Sequence, residues 1–128
     1  MKRFFEFVTA AILVLSLAAC VGGGAGAGSS SSGNFDTKFP LPASVRNFTS
    51  SGDGAVNFQT NLGIEDAVAF YREALGNAGL NERTINTAIT DTTFSLVFDG
   101  DPSGKAVVVQ GVDLGGGMTN INIRYEAV

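Results

Sequence analysis

At 128 residues the chain has room for one small domain, since a second would be too short to bury its own core. Its formal charge of −4, from 8 basic and 12 acidic residues, repels phosphate backbones, so nucleic acid is not an expected partner. There is no His or Trp, and Cys20 is the only cysteine, which excludes internal disulfides, Ser-His-Asp and Cys-His catalysis and ordinary zinc sites.

In chain order, Lys2 and Arg3 make a short positive start, with Glu6 an atypical acid beside them, and an apolar run from Phe7 to Ala19 follows, broken only by Thr9 and Ser16. A permanent membrane span needs roughly 20 apolar residues, so this run has the length of an export signal, and it ends in small residues as cleavage requires. Leu17-Ala18-Ala19-Cys20 resembles the lipobox of bacterial lipoproteins. The resemblance implies that residues 1–19 are a signal peptide removed on export and that the Cys20 thiol takes a diacylglyceryl group. It also implies that the newly exposed amino group is a further acylation site. Two or more acyl chains hold a protein stably on a membrane where one is marginal. The expected location is therefore the cell envelope, outside the cytoplasm, with the membrane as a partner through lipid on Cys20. Without Lys2, Arg3 and Glu6 the formal charge moves from −4 to −5.

From Val21 to Gly33 the chain is Gly, Ala and Ser after its first residue, so residues 20–34 read as the lipidated cysteine and a tether. A flexible chain of this kind has an r.m.s. reach of roughly 20 Å, enough to hold a small domain clear of lipid headgroups. Gly22 to Gly28 is a poor phosphate loop, because no strand precedes it and no amphipathic helix follows.

Residues 35–128 are the expected folded domain. Pro40 and Pro42 punctuate an extended lead-in, and Val45 to Ser50 and Ala55 to Thr60 read as strands of a hairpin around Ser51-Gly52-Asp53-Gly54. Period-2 alternation puts Phe48, Val56 and Phe58 on one face and Asn47, Asn57 and Gln59 on the other. Ile64, Ala67, Val68, Tyr71, Ala74, Leu75 and Ala78 then recur at helical spacing, with Glu65, Asp66, Arg72 and Glu73 mostly opposite. The acids Glu65 and Asp66 suit the positive end of that helix, and Gly76 or Gly79 closes it.

From Arg83 onward three connections set a register. A turn at Asp91-Thr92 pairs Ile89 with Phe94, Thr87 with Leu96 and Ile85 with Phe98. A loop at Asp101 to Gly104 pairs Phe98 with Val107 and Leu96 with Val109, and a third at Leu114 to Met118 pairs Val107 with Tyr125 and Val109 with Ile123. The expectation is an α+β domain, one amphipathic helix packed on a predominantly antiparallel sheet, in the order β-β-α-β-β-β-β, with the strand order in the sheet open. The stretch Gly63 to Leu80 with Phe70-Tyr71-Arg72-Glu73, together with Ser95 to Gly100 and Thr119 to Arg124, resembles small lipid-anchored domains of bacteria that have no assigned function. It implies fold and location only.

Candidate sites are few. Asp99-Gly100-Asp101-Pro102-Ser103-Gly104 opens like a calcium loop, but Gln110 stands where an EF-hand needs a bidentate Glu, and a hairpin turn explains all six residues. Glu65, Asp66 and Glu73 read as a solvated helix face rather than the paired acids of a glycosidase. Phe70 and Tyr71 read as core, Asn47-Phe48-Thr49 as strand rather than a glycosylation site, and Gly115-Gly116-Gly117 as a hairpin tip rather than an anion cradle. No cofactor, metal or catalytic residue is expected. The register leaves a second sheet face holding Asn86, Ala88, Ser95, Val97, Val108, Gln110, Asn122 and Arg124. This is a small apolar centre of Val97 and Val108 in a hydrogen-bonding rim, and Val97, Val108, Gln110, Asn122 and Arg124 form the candidate contact face. The leading expectation is a non-enzymatic envelope protein that binds or scaffolds an envelope partner. The alternative is a carrier of a small apolar ligand held between helix and sheet by Phe70, Tyr71, Phe94 and Phe98.

Overall fold

The computed structural model describes residues 35–128, so the expected signal peptide, Cys20 and the expected tether lie outside the described residues. The domain is α+β: one helix lies on one face of a seven-stranded, wholly antiparallel sheet.

Strands β1 (Arg46–Ser50) and β2 (Val56–Thr60) form the first hairpin. Its turn is closed by Asp53, whose carboxylate accepts from the Ser51 hydroxyl at 2.8 Å and the Ala55 N–H at 3.1 Å, an arrangement that lets a short acidic side chain replace strand partners. The β1–β2 register shifts between Arg46 and Thr49, where Asn47 takes a φ of 52°. Asn tolerates that left-handed conformation, and the resulting bulge kinks an edge strand that would otherwise present a flat row of free backbone groups.

Helix α1 (Ile64–Asn77) buries Ile64, Ala67, Val68, Tyr71 and Leu75 along one stripe. It ends by the Schellman arrangement that Gly79 permits at a φ of 93°. The Leu80 N–H donates to the Leu75 carbonyl and the Gly79 N–H to the Gly76 carbonyl, both at 3.0 Å, and the side chains of Leu80 and Leu75 are both buried. Buried Tyr71 donates its hydroxyl to the Pro40 carbonyl at 3.0 Å, tying the lead-in segment to the helix.

The segment after the helix departs from the expected single strand. It divides into β3 (Asn81–Glu82), a 3-10 turn over Thr84–Asn86, and β4 (Ala88–Ile89), so the domain has seven strands rather than six. Ile89 pairs with Phe94, but Phe98 stands opposite Glu82 instead of Ile85, which is 89 % exposed, and Thr87 makes no ladder pair with Leu96. Polar side chains hold this course. Glu82 receives both Nε and Nη2 of Arg72, at 2.8 and 3.0 Å, and the Thr87 hydroxyl, while Arg83 pairs with Asp99. A bidentate guanidinium fixes geometry as well as charge, and here it joins helix to sheet edge.

Strands β5 (Thr93–Asp99), β6 (Ala106–Gly115) and β7 (Met118–Glu126) follow as a meander. Phe98 faces Val107, Leu96 faces Val109, Val107 faces Tyr125 and Val109 faces Ile123, as alternation predicts. The last hairpin is tighter than expected: Gly115 pairs with Met118, leaving only Gly116 and Gly117, both at positive φ, as a two-residue turn of the kind whose twist matches the strands. The strand order is β1-β2-β7-β6-β5-β3, with β4 also on β5, so β7 joins the N-terminal hairpin to the meander.

The core lies between α1 and the inner sheet face, where Phe58, Leu96, Val109, Ile121 and Ile123 are wholly buried beneath Tyr71 and Ala67.

Candidate functional site

The sheet face turned away from α1 is where the candidate contact residues fall. Alternation carries them there in two cross-strand rows, Val97–Val108–Arg124 and Ser95–Gln110–Asn122, over β5, β6 and β7. The Arg124 guanidinium organises them. Its Nη1 donates to Gln110 Oε1 at 2.8 Å and Asn122 Oδ1 at 3.3 Å, and its Nε donates to Glu126 Oε2 at 2.9 Å. Gln110 Nε2 reaches the Ser95 hydroxyl at 3.5 Å, and Asn122 Nδ2 the Val56 carbonyl at 3.4 Å.

The β2–β7 pairing extends this polar surface beyond the meander. Asn57 and Asn120 stand in adjacent rows and exchange reciprocal amide hydrogen bonds of 3.3 and 3.0 Å, and Asn47 donates to Gln59 at 3.0 Å. The result is a band of amides from β1 to β6, ending on the Ser95 hydroxyl of β5, with the Arg124 guanidinium near its middle. Asn47, Asn57 and Gln59 were legible as one face of the first hairpin; what unites them with Gln110 and Arg124 is β7, a neighbour that no local pattern announces.

The two valines do not make an open apolar centre. Val108 is 6 % exposed and Val97 half-buried, with Val108 standing between its ladder partners Val97 and Arg124. The face presents hydrogen-bonding groups around one open apolar side chain, Val112, which pairs with Asn120 and is 48 % exposed, with Val108 packed beneath.

The remaining candidates separate cleanly. In the stretch resembling a calcium loop, Asp99 pairs with Arg83, whose guanidinium holds the carboxyl below the usual carboxylate range. Asp101 caps its own turn by accepting the Ser103 N–H at 2.9 Å. No group of three or more His, Cys, Asp or Glu side chains is placed to hold a metal ion among the described residues. Glu65, Asp66 and Glu73 are exposed on α1. Tyr71, Phe94 and Phe98 are core side chains, with Phe70 edge-on to Tyr71 at 4.9 Å, and burial pushes the Tyr71 phenol far above its ordinary range. Four surface concavities, lined among others by Lys38, Ile89, Asn57 and Leu80, include none of Phe70, Tyr71, Phe94 and Phe98 in their walls.

Among the described residues no helix is long and apolar enough to cross a membrane. Comparison with known proteins returns no matching family model and no matching curated protein.

Proposed function

We propose that this chain is a lipid-anchored protein of the cell envelope, exported with residues 1–19 as its signal peptide and held on the outer side of a membrane through lipid on Cys20. Residues 20–34 act as the tether and 35–128 as a single domain that binds or scaffolds an envelope protein without catalysing a reaction. The lipobox Leu17-Ala18-Ala19-Cys20, placed at the end of a signal-length apolar run, carries this reading. The amide band supports the binding role. Its donors and acceptors are fixed by one another before any partner arrives, which lowers the ordering cost of association, and its flat, mixed hydrogen-bonding surface suits another protein's surface better than a small molecule. The apolar-carrier alternative loses support because its four aromatic residues are occupied in packing with one another and with the core.

The test is chemical crosslinking in native membranes of wild type and of an Arg124→Ala, Gln110→Ala double variant, whose side chains lie on the surface and outside the core. The binding reading expects a specific adduct that the double variant loses while still partitioning with membranes. Identical adducts from both proteins would remove the face from the account.

A further inference from the structure

Charge is divided between the two sides of the domain. On the outer sheet face Arg46 stands opposite Gln59, Arg124 lies within the amide band and Arg83 pairs with Asp99 at the β5 margin, so three guanidiniums meet two carboxylates, Asp99 and Glu126. The helix side is the reverse. There Glu65, Asp66, Glu73 and Glu82 meet the one guanidinium of Arg72, which is already committed to Glu82. Glu65, Asp66 and Glu73 are exposed and make no ion pair among the described residues, and neither does Arg46. In a two-layer domain these sides point in opposite directions, so the attraction between them is available only to a second molecule.

The hydrogen-bonding groups match in the same sense. An amide nitrogen carries two N–H donors, and the reciprocal pair of Asn57 with Asn120 uses one from each. The second N–H of each amide and the Arg124 Nη2 donors have no partner among the described residues, while an ionised carboxylate only accepts. Shape agrees with chemistry. Glu65, Ala69, Glu73 and Gly76 follow one another at helical spacing on the exposed side of α1, with low points at Ala69 and Gly76, whereas Val112 is an open side chain on the sheet.

We propose that the outer sheet face docks the exposed side of α1 of a second copy of this chain. The carboxylates of Glu65, Asp66 and Glu73 face the guanidiniums of Arg46 and Arg124 and the free amide donors, and Val112 lies over the low line of Ala69 and Gly76. The inference rests on the amide band being the contact face, and it names the partner of that face. Charge favours this arrangement over a two-fold pairing of like sides, because two helix sides repel each other and two sheet faces set guanidinium against guanidinium. Contact between unlike faces is heterologous. Each docked copy still offers one free face of each kind, so association continues past two.

The experiment follows the full-length protein extracted from native membranes by sedimentation velocity, in enough detergent that each micelle holds one chain. Wild type is expected to grow past the dimer with concentration, and raising salt from about 50 to about 500 mM should weaken association about tenfold. Two charge-reversed variants separate the faces: Arg124→Glu on the sheet, and Glu65→Lys with Glu73→Lys on the helix. None of these side chains belongs to the core, so unchanged circular dichroism is expected; if Arg124→Glu loses its fold, Val112→Glu replaces it. Each variant alone should stay monomeric where wild type associates. An equal mixture should form a dimer and stop there, because one intact helix side meets one intact sheet face. Wild type that stays monomeric up to about 100 µM at low salt, a helix variant that still dimerises by itself, or a mixture as monomeric as its parts would overturn the proposal. Monomeric wild type alongside an adduct to a different protein in native membranes, lost with Arg124→Ala and Gln110→Ala, would overturn this inference and leave the contact face standing. Adducts unchanged by that double variant would remove both.

Discussion

Gly111 sits in the middle of β6, between its ladder partners Phe94 on β5 and Ile121 on β7, on the face that α1 covers. A methyl group at this position would lie 2.2 Å from Phe94 Cε1 and 2.8 Å from two more ring carbons, where carbon atoms in contact prefer roughly 3.5 to 4.0 Å. The ring therefore crosses directly over the glycine, and Phe94, 3 % exposed, would have to retreat by more than an ångström against the core. Overpacking of this kind costs about 1 to 3 kcal/mol, while replacing glycine by alanine inside a strand returns about 0.5 to 1 kcal/mol through the unfolded chain and better strand propensity. Gly111→Ala is thus expected to destabilise the domain by about 1 to 2 kcal/mol, read as a lower urea midpoint at unchanged slope by far-ultraviolet circular dichroism. The cause can be isolated by a double-mutant cycle. In a Phe94→Leu background, where the ring is gone, Gly111→Ala should be neutral or slightly stabilising, giving a coupling of about 1 kcal/mol or more. A midpoint that rises on Gly111→Ala with Phe94 intact would refute the packing described for this face.

Leu96, fully buried at the centre of β5, should lose about 2 to 5 kcal/mol on Leu96→Ala, and an unchanged denaturation midpoint would show that the register of β5 is misplaced. Val108→Asp should cost about 1 to 3 kcal/mol by thermal denaturation, because it places a carboxylate at a nearly closed position, tempered by Arg124 opposite; a fully stable variant would show the outer face to be open there. Glu82 is held below the ordinary carboxylate range, first by its hydrogen bonds from Arg72 and then from Thr87, so its charged form is favoured in the folded state. Its stabilisation is complete above the unfolded carboxylate value and is lost as pH falls through the lower folded one. Glu82→Gln should therefore narrow the gap to wild type in acid, and parallel stability curves from neutral pH down to pH ~3 would contradict it.

The parts of this fold that can be read from the chain are those where one interaction dominates. The α1 stripe from Ile64 to Leu75 and the pairs Phe98–Val107 and Val109–Ile123 follow from apolar periodicity and short turns, which leave few alternatives. Between Arg83 and Ile89 the alternation of Ile85, Thr87 and Ile89 imitates a strand, yet the Arg72–Glu82 and Arg83–Asp99 pairs anchor the backbone around a 3-10 turn and turn Ile85 outward. Such pairs depend on residues brought together by the fold, so periodicity does not reveal them. The contact face was legible in composition and not in extent, for its outer amides join only through the β2–β7 pairing. The burial of Val108 was hidden because alternation assigns a residue to a sheet face without saying how closely the neighbouring strands' side chains pack over it.

The fate of Cys20 decides whether the domain is held on a membrane, and the intact mass of the protein extracted from native membranes measures it directly. The anchor reading predicts a polypeptide that begins at Cys20 and carries the added mass of a diacylglyceryl group, with or without a further acyl chain on the amino terminus. A species that retains Met1, or one whose Cys20 thiol is unmodified, would contradict it.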